Sequence, residues 1–122
     1  MLHAEEPTIT TSVGLQRVRI TIVGELDVVT GPQLMDSVRR ALELPACRDL
    51  VIDVRDVTFA DASAVGVFVQ ARRACEHVGG RLTVFGAHGV VAEILYLTGV
   101  AESLGMPMRP EFRRANDLWP SR

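Results

Sequence analysis

Between Leu50 and Phe85 the chain spells strand, helix, strand, an order that few folds accommodate. Leu50-Val51-Ile52-Asp53-Val54 is a short, nearly continuous apolar run, which suits a central strand covered on at least one face. Past Ser63, residues Ala64, Val67, Phe68, Ala71, Cys75 and Val78 recur at helical steps and form one face. Gln70, Arg73, Glu76 and His77 lie opposite, and Gly79-Gly80 supplies a C-terminal stop. Arg81 to Phe85 is strand-like again. Two strands joined by a helix of about four turns make a βαβ unit, whose strands are usually parallel.

The segments before this unit extend the sheet. From Thr8 to Val13, and again from Arg17 to Val23, apolar and polar residues alternate, with Ile9, Val13, Val18, Ile20 and Ile22 against Arg17, Arg19 and Thr21. A period of two marks strands with one face in the core, and the short link Gly14-Leu15-Gln16 predicts an antiparallel hairpin. Gly24-Glu25-Leu26-Asp27 ends the second strand. Thr30-Gly31-Pro32-Gln33 then reads as a helix start, with Thr30 as the cap, Pro32 in the first turn and Gln33 reaching back to the Thr30 amide. Leu34, Met35, Val38, Ala41 and Leu42 form the inward stripe, leaving Asp36, Arg39, Arg40 and Glu43 outward, and the helix stops near Pro45.

Downstream of the βαβ unit, Gly86 to Gly89 leads into a short helix carrying Val91, Ile94 and Leu95 inward and ending at Thr98-Gly99. Phe112, Ala115 and Trp119 predict a terminal helix over Pro110 to Trp119. The expected order is β-β-α-β-α-β-α-α, a mixed sheet with helices mainly over one face, α/β or α+β according to the scheme.

With 122 residues, nearly half of them apolar, the chain is expected to be a single domain spanning 1–122 with an ordinary core. The formal charge is −2, and the thirteen basic residues, all Arg, are scattered in sequence, so no stripe predicts nucleic-acid binding. Cys47 and Cys75 belong to no metal or C-x-x-C spacing. With no signal-peptide pattern and no apolar run of membrane-spanning length, a reduced cytoplasmic protein without a membrane segment is the expectation.

Chemistry-bearing residues gather between Asp53 and Gly66, reading D-V-R-D-V-T-F-A-D-A-S-A-V-G. Here the central strand is expected to run into a short acidic turn. Ser63 then stands at the mouth of a helix, where its hydroxyl can cap the free first-turn amides or be presented to another molecule. Asp53, Asp56 and Asp61 are three carboxylates in one strand-turn region, but their spacing matches no calcium loop. Service in a turn and at the positive end of the helix is the stronger reading. No triad partner is evident for Ser63. His3, His77 and His88 fall in a tail, on a polar helix face and in a loop, and Ala60-Asp61-Ser63-Ala64 does not match G-x-S-x-G. Phosphate-binding glycine patterns are missing too, so no cofactor is expected. Because Gly24 to Asp27 and Asp56 to Ser63 each follow a strand, their loops are candidates for one shared surface.

Taken in order, Gly24-Glu25-Leu26-Asp27, Leu50-Val51-Ile52-Asp53, Phe59-Ala60-Asp61-Ala62-Ser63-Ala64-Val65-Gly66-Val67, Gly79-Gly80-Arg81-Leu82 and Leu97-Thr98-Gly99-Val100 resemble a STAS domain of the anti-sigma factor antagonist type. The resemblance covers roughly Thr8 to Leu118. It implies a small mixed sheet of four to five strands with about four helices mainly on one face, and a binding module without catalysis of its own. It further implies that the unphosphorylated chain binds an anti-sigma factor that is also a serine kinase, releasing a sigma factor. Phosphorylation of Ser63 would break the complex, and a separate serine phosphatase would restore it. By the same resemblance Asp27, Asp61, Ala62, Ser63 and Ala64 form the partner surface. The usual D-S-S-G is here Asp61-Ala62-Ser63-Ala64, which puts an extra methyl, on Ala64, where a kinase backbone is expected to approach. The alternative is an unphosphorylated STAS module in a sensory or transport assembly, or a small-ligand binder.

Overall fold

The computed structural model describes residues 7–45 and 47–106. Strand β1 (Thr8–Val13) and strand β2 (Arg17–Leu26) form the antiparallel hairpin, helix α1 (Thr30–Leu42) follows, and strand β3 (Asp49–Ala60) pairs in parallel with β2. Helix α2 (Ala62–His77) leads to strand β4 (Arg81–Phe85), which pairs in parallel with β3, and helix α3 (Gly89–Leu97) precedes a single 3-10 turn at Glu102–Leu104. The strands lie in the order β1-β2-β3-β4. Among the described residues there are thus four strands and three α-helices. The expected terminal helix, Pro110 to Trp119, lies outside them. None of the described helices is long and apolar enough to cross a membrane.

Period-two alternation sets the core. Val18, Ile20 and Ile22 of β2, Leu50 and Ile52 of β3, and Leu82 and Val84 of β4 are buried together, and pairing aligns Val18 with Leu50 and Leu82, then Ile20 with Ile52 and Val84. From α1, Leu34, Met35, Val38 and Ala41 join this cluster. Ala64, Phe68, Ala71 and Cys75 come from α2, and Val91, Ala92, Leu95 and Tyr96 from α3. A fully buried Leu, Ile or Phe side chain stabilises a fold by about 1.5–3 kcal/mol, so these rows fix the register. Val13 and Val78, expected inward, sit at the ends of their elements and are exposed. Helix α2 stops as expected: Gly79, at φ +77°, donates to the Glu76 carbonyl and Gly80 to that of Cys75.

Two expectations need correction. After Val54 the chain does not turn; β3 continues to Ala60 through register shifts opposite Thr21/Val23 and Gly24/Glu25. These β-bulges break the alternation and let polar residues such as Arg55 and Asp56 stand together in a strand. Nor are all the arginines scattered in space. Arg17, Arg19, Arg55 and Arg81 share the sheet face opposite the core, because alternation and parallel register stack Arg17 with Asp49 and Arg81, and Thr21 with Asp53 and Phe85. On that face Asp53 is 1% exposed, held by a two-pronged ion pair with Arg55 (Nη2 to Oδ2, 2.9 Å), while the guanidinium carbons of Arg19 and Arg55 lie 5.6 and 5.3 Å from the Phe85 ring centre. Burial alone pushes the Asp53 carboxyl up. The hydrogen bonds and charge of Arg55, with the charge of Arg19, outweigh it and hold Asp53 below the usual carboxylate range.

Candidate functional site

Strands β2 and β3 end side by side, Leu26 opposite Ala60, and the Asp61 amide donates to the Leu26 carbonyl at 3.4 Å. This register brings the β2–α1 loop and the start of α2 to the same edge of the sheet; of the expected Asp56 to Ser63 loop, Asp56 to Ala60 is strand, and Asp61 to Ser63 is the part that meets the first loop's edge.

The β2–α1 loop is organised by Asp27. Its Oδ1 accepts the amides of Val29 at 2.9 Å and Thr30 at 3.0 Å. The Thr30 hydroxyl accepts the Asp27 amide at 2.9 Å and donates to the Glu25 carbonyl at 2.8 Å. The expected capping box is therefore corrected: the Thr30 amide goes to Asp27, whose full negative charge outcompetes a neutral Gln33 amide, and Gln33 is left exposed. The Thr30 and Val29 amides hold the Asp27 carboxyl below its ordinary value. Apolar Val28 and Val29, between the anchored residues, are 70% and 65% exposed.

At the start of α2 the cap is Asp61, not Ser63. Asp61 has extended backbone, and its Oδ1 accepts both the Ser63 amide, at 2.9 Å, and the Ser63 hydroxyl. A carboxylate at this position satisfies a free first-turn amide and favours the positive end of the helix, so the Ser63 oxygen is not needed for capping. Ser63 lies in the first turn and lines a groove of about 360 Å³ between α1 and α2 with Asp27, Val28, Pro32, Arg39 and Gln70. A Cβ on Gly31 would come within 2.9 Å of Val67 Cγ2, a measure of how closely the two helices meet here.

The remaining candidates divide. Ala62 is exposed beside Ser63. Ala64 is 0% exposed, in one stripe with Phe68, Ala71 and Cys75, so its methyl packs into the core. The expectation that it faces an approaching kinase is corrected by helical phase: the residue after Ser63 turns about 100° inward. Asp53 and Asp61 serve an arginine pair and a helix cap, and among the described residues no group of three His, Cys, Asp or Glu is placed to hold a metal ion. Neither described histidine lines the groove; His88 lies in front of α3 with Nε2 2.7 Å from the Arg55 carbonyl oxygen. Both described cysteines are buried free thiols, and burial above all pushes Cys75 up to about 12, leaving it a poor nucleophile.

Sequence reasoning missed Thr30 as the pin of the first loop, the exposed Val28-Val29 pair, and the half-exposed Phe59 just before Asp61. The signal for the valines was present: two apolar residues inside a polar loop have no core to enter.

The family model of the STAS domain matches residues 7–115. The anti-sigma-B factor antagonist of Bacillus subtilis (strain 168) is 27% identical over 94 residues, covering 77% of this chain and 84% of that protein. Among solved structures, an anti-sigma factor antagonist from Mycobacterium paratuberculosis aligns with a TM-score of 0.69 at 18% identity, covering 87% of this chain and 89% of that one. The Bacillus cell fate determinant SpoIIAA in its phosphorylated form aligns at 0.65 with 21% identity, covering 85% and 95%. At these identities the structural likeness speaks to the fold. The family match, running from the first described strand past the last described turn, carries the assignment: this chain belongs to the STAS domain family.

Proposed function

We propose that this protein is an anti-sigma factor antagonist that binds an anti-sigma factor in its unphosphorylated state and is released when that partner, acting as a serine kinase, phosphorylates Ser63. The observation that carries the reading is the setting of Ser63: a hydroxyl in the first turn of α2, held by Asp61 and lining a groove with Asp27. The antagonists among its relatives, and a like-folded protein known in a phosphorylated form, support it.

The physics of the switch is local. With its proton, Ser63 Oγ donates to Asp61 and adds no charge. A phosphoryl group on Oγ replaces that proton and adds about −1.5 to −2 charges at neutral pH. The hydrogen bond to Asp61 is lost and becomes a repulsion, and the groove that Ser63 lines carries the further carboxylate of Asp27, its Asp36 being paired with Arg39. The amide end of α2 tolerates the new charge, so the domain keeps its fold while the surface it offers changes in charge and shape. A serine phosphatase reverses the step by hydrolysis.

The test joins chemistry to binding. Incubation with the cognate kinase and ATP, followed by mapping of the modified residue by mass spectrometry, is expected to place a single phosphate on Ser63. Ser63→Ala is expected to retain the anti-sigma factor and Ser63→Asp to lose it. Phosphate on another residue only, or Ser63→Asp binding as tightly as the unmodified chain, would sink the proposal.

A further inference from the structure

Strand β3 ends in an arrangement that costs the fold apolar burial. Val57 is buried, and simple alternation would next expose Thr58, bury Phe59 and expose Ala60. Instead Gly24 pairs with Val57 and Glu25 with Phe59, leaving Thr58 as an extra residue on β3. This bulge turns the strand so that Ala60 is buried and Phe59 stands 45% exposed. Bulges recur where a side chain must be re-aimed. Here a large aromatic is moved from core to surface two residues before Asp61.

Phe59 forms one wall of an open cleft of about 850 Å³ that also has Glu25, Arg55, Asp56, His88 and Val90 in its lining. Val90, in the first turn of α3, is a second exposed apolar side chain, at 50%. Arg55 is committed to Asp53, so Glu25 and Asp56 leave the rim acidic. The cleft and the Ser63 groove both lie by the ends of β2 and β3, where Glu25 pairs with Phe59 and Leu26 with Ala60: Glu25 stands two residues before Asp27, and Phe59 four before Ser63. A partner seated on Ser63 reaches the cleft without leaving this end of the sheet.

We infer that Phe59 and Val90 are the apolar anchor of the antagonist's contact with its anti-sigma factor, receiving from it a large apolar side chain flanked by basic groups. The inference rests on the antagonist reading above and adds to it a division of labour. Ser63 decides whether the partner stays, and the Phe59 cleft supplies affinity. Aromatic residues in partly enclosed apolar hollows are the usual centres of binding energy, whereas exposed charges at a rim contribute more to steering.

Binding of the purified cognate anti-sigma factor to the full chain is measured by calorimetry for the wild type, Phe59→Ala, Val90→Ser and Leu15→Ser, with a thermal melt of each. Leu15, 98% exposed in the hairpin at the opposite end of the sheet, is the control. Phe59→Ala and Val90→Ser are expected each to weaken binding by about tenfold or more, with Leu15→Ser unchanged. Val90→Ser changes only an exposed first-turn residue and carries the test if the melt shows Phe59→Ala poorly folded. Wild-type binding with both folded variants within about twofold of it overturns this inference alone. A wild type that binds no anti-sigma factor overturns the antagonist reading with it.

Discussion

Asp27 and Asp61 perform the same task at two helix starts, each placing one carboxylate oxygen on amides that have no partner inside the helix. They differ in what else that oxygen holds: Asp27 Oδ1 serves only its own loop and Thr30, whereas Asp61 Oδ1 also holds the hydroxyl of Ser63. Asp61 therefore links stability to the proposed switch. Replacing an N-terminal cap by Ala costs about 0.5–2 kcal/mol, whereas Asn keeps an acceptor and costs little. Asp61→Ala is accordingly expected to lose about 1 kcal/mol in urea unfolding at neutral pH, and Asp61→Asn only a small part of that. Equal losses for the two variants would mean that charge, not capping, is what Asp61 supplies. The phase of α2 is a second matter of single residues. Periodicity places Ala64 in the buried stripe with Phe68 and Ala71, while likeness to the family pattern places it on the surface; its burial sides with periodicity.

Strand β3 shows what an element demands of its neighbours. For Phe59 to face outward, β2 must accommodate an extra residue opposite Gly24, which adopts φ +103° with the space for a Cβ only 3.1 Å from Pro7 Cα. A side chain there meets both a backbone conformation that L-residues avoid and a neighbouring backbone atom. Gly24→Ala is expected to destabilise the protein by about 1–3 kcal/mol in urea unfolding, with an unchanged m-value. A neutral result would show that the bulge is not held by Gly24. The same bulges explain what was and was not readable. Helices α1 and α2 and strand β4 announce themselves through clean periods of 3.6 and 2 and through Gly79-Gly80, and their extents follow closely from the residues, although the caps at both helix starts do not. The second half of β3 carries two register shifts, so Arg55-Asp56 reads as a turn although it is strand. At the candidate site, a shared edge for the β2–α1 loop and the start of α2 was legible because each follows a strand, but the parallel pairing of β2 with β3 that brings them together was not. Phe59 and Val90 were not, because their exposure depends on pairing between distant segments that no local pattern records.

At the scale of the whole molecule, charge is segregated in a way the net value of −2 conceals. Arg17, Arg19, Arg55 and Arg81 share the face opposite the core, countered by Asp49 and the buried Asp53, while Glu25, Asp27, Asp56 and Asp61 crowd the ends of β2 and β3. Acid must act on both regions together. Asp27 and Asp53 are each held below their unfolded values, the first by the Thr30 and Val29 amides, the second because Arg55 and Arg19 overcome the cost of burial. A carboxyl whose folded pKa is lowered contributes stability that is fully present above the unfolded value, about 3.9, and is lost as pH falls through the folded one. From pH 7 down to about 5 these two groups should leave stability unchanged, and below about pH 4 their contributions should disappear. Protonation of Asp53 also removes the charge that offsets its arginines, so repulsion across the sheet face grows while all thirteen arginines remain charged. Urea unfolding across pH 2.5–7 should therefore show a steep acid limb for the wild type. Asp53→Asn should be less stable at pH 7 but lose less on acidification, so that the two curves converge at low pH. Parallel curves at all pH values would show that the Arg19–Asp53–Arg55 cluster does not couple the fold to acid, leaving the Asp27 loop and general charge repulsion to account for the limb.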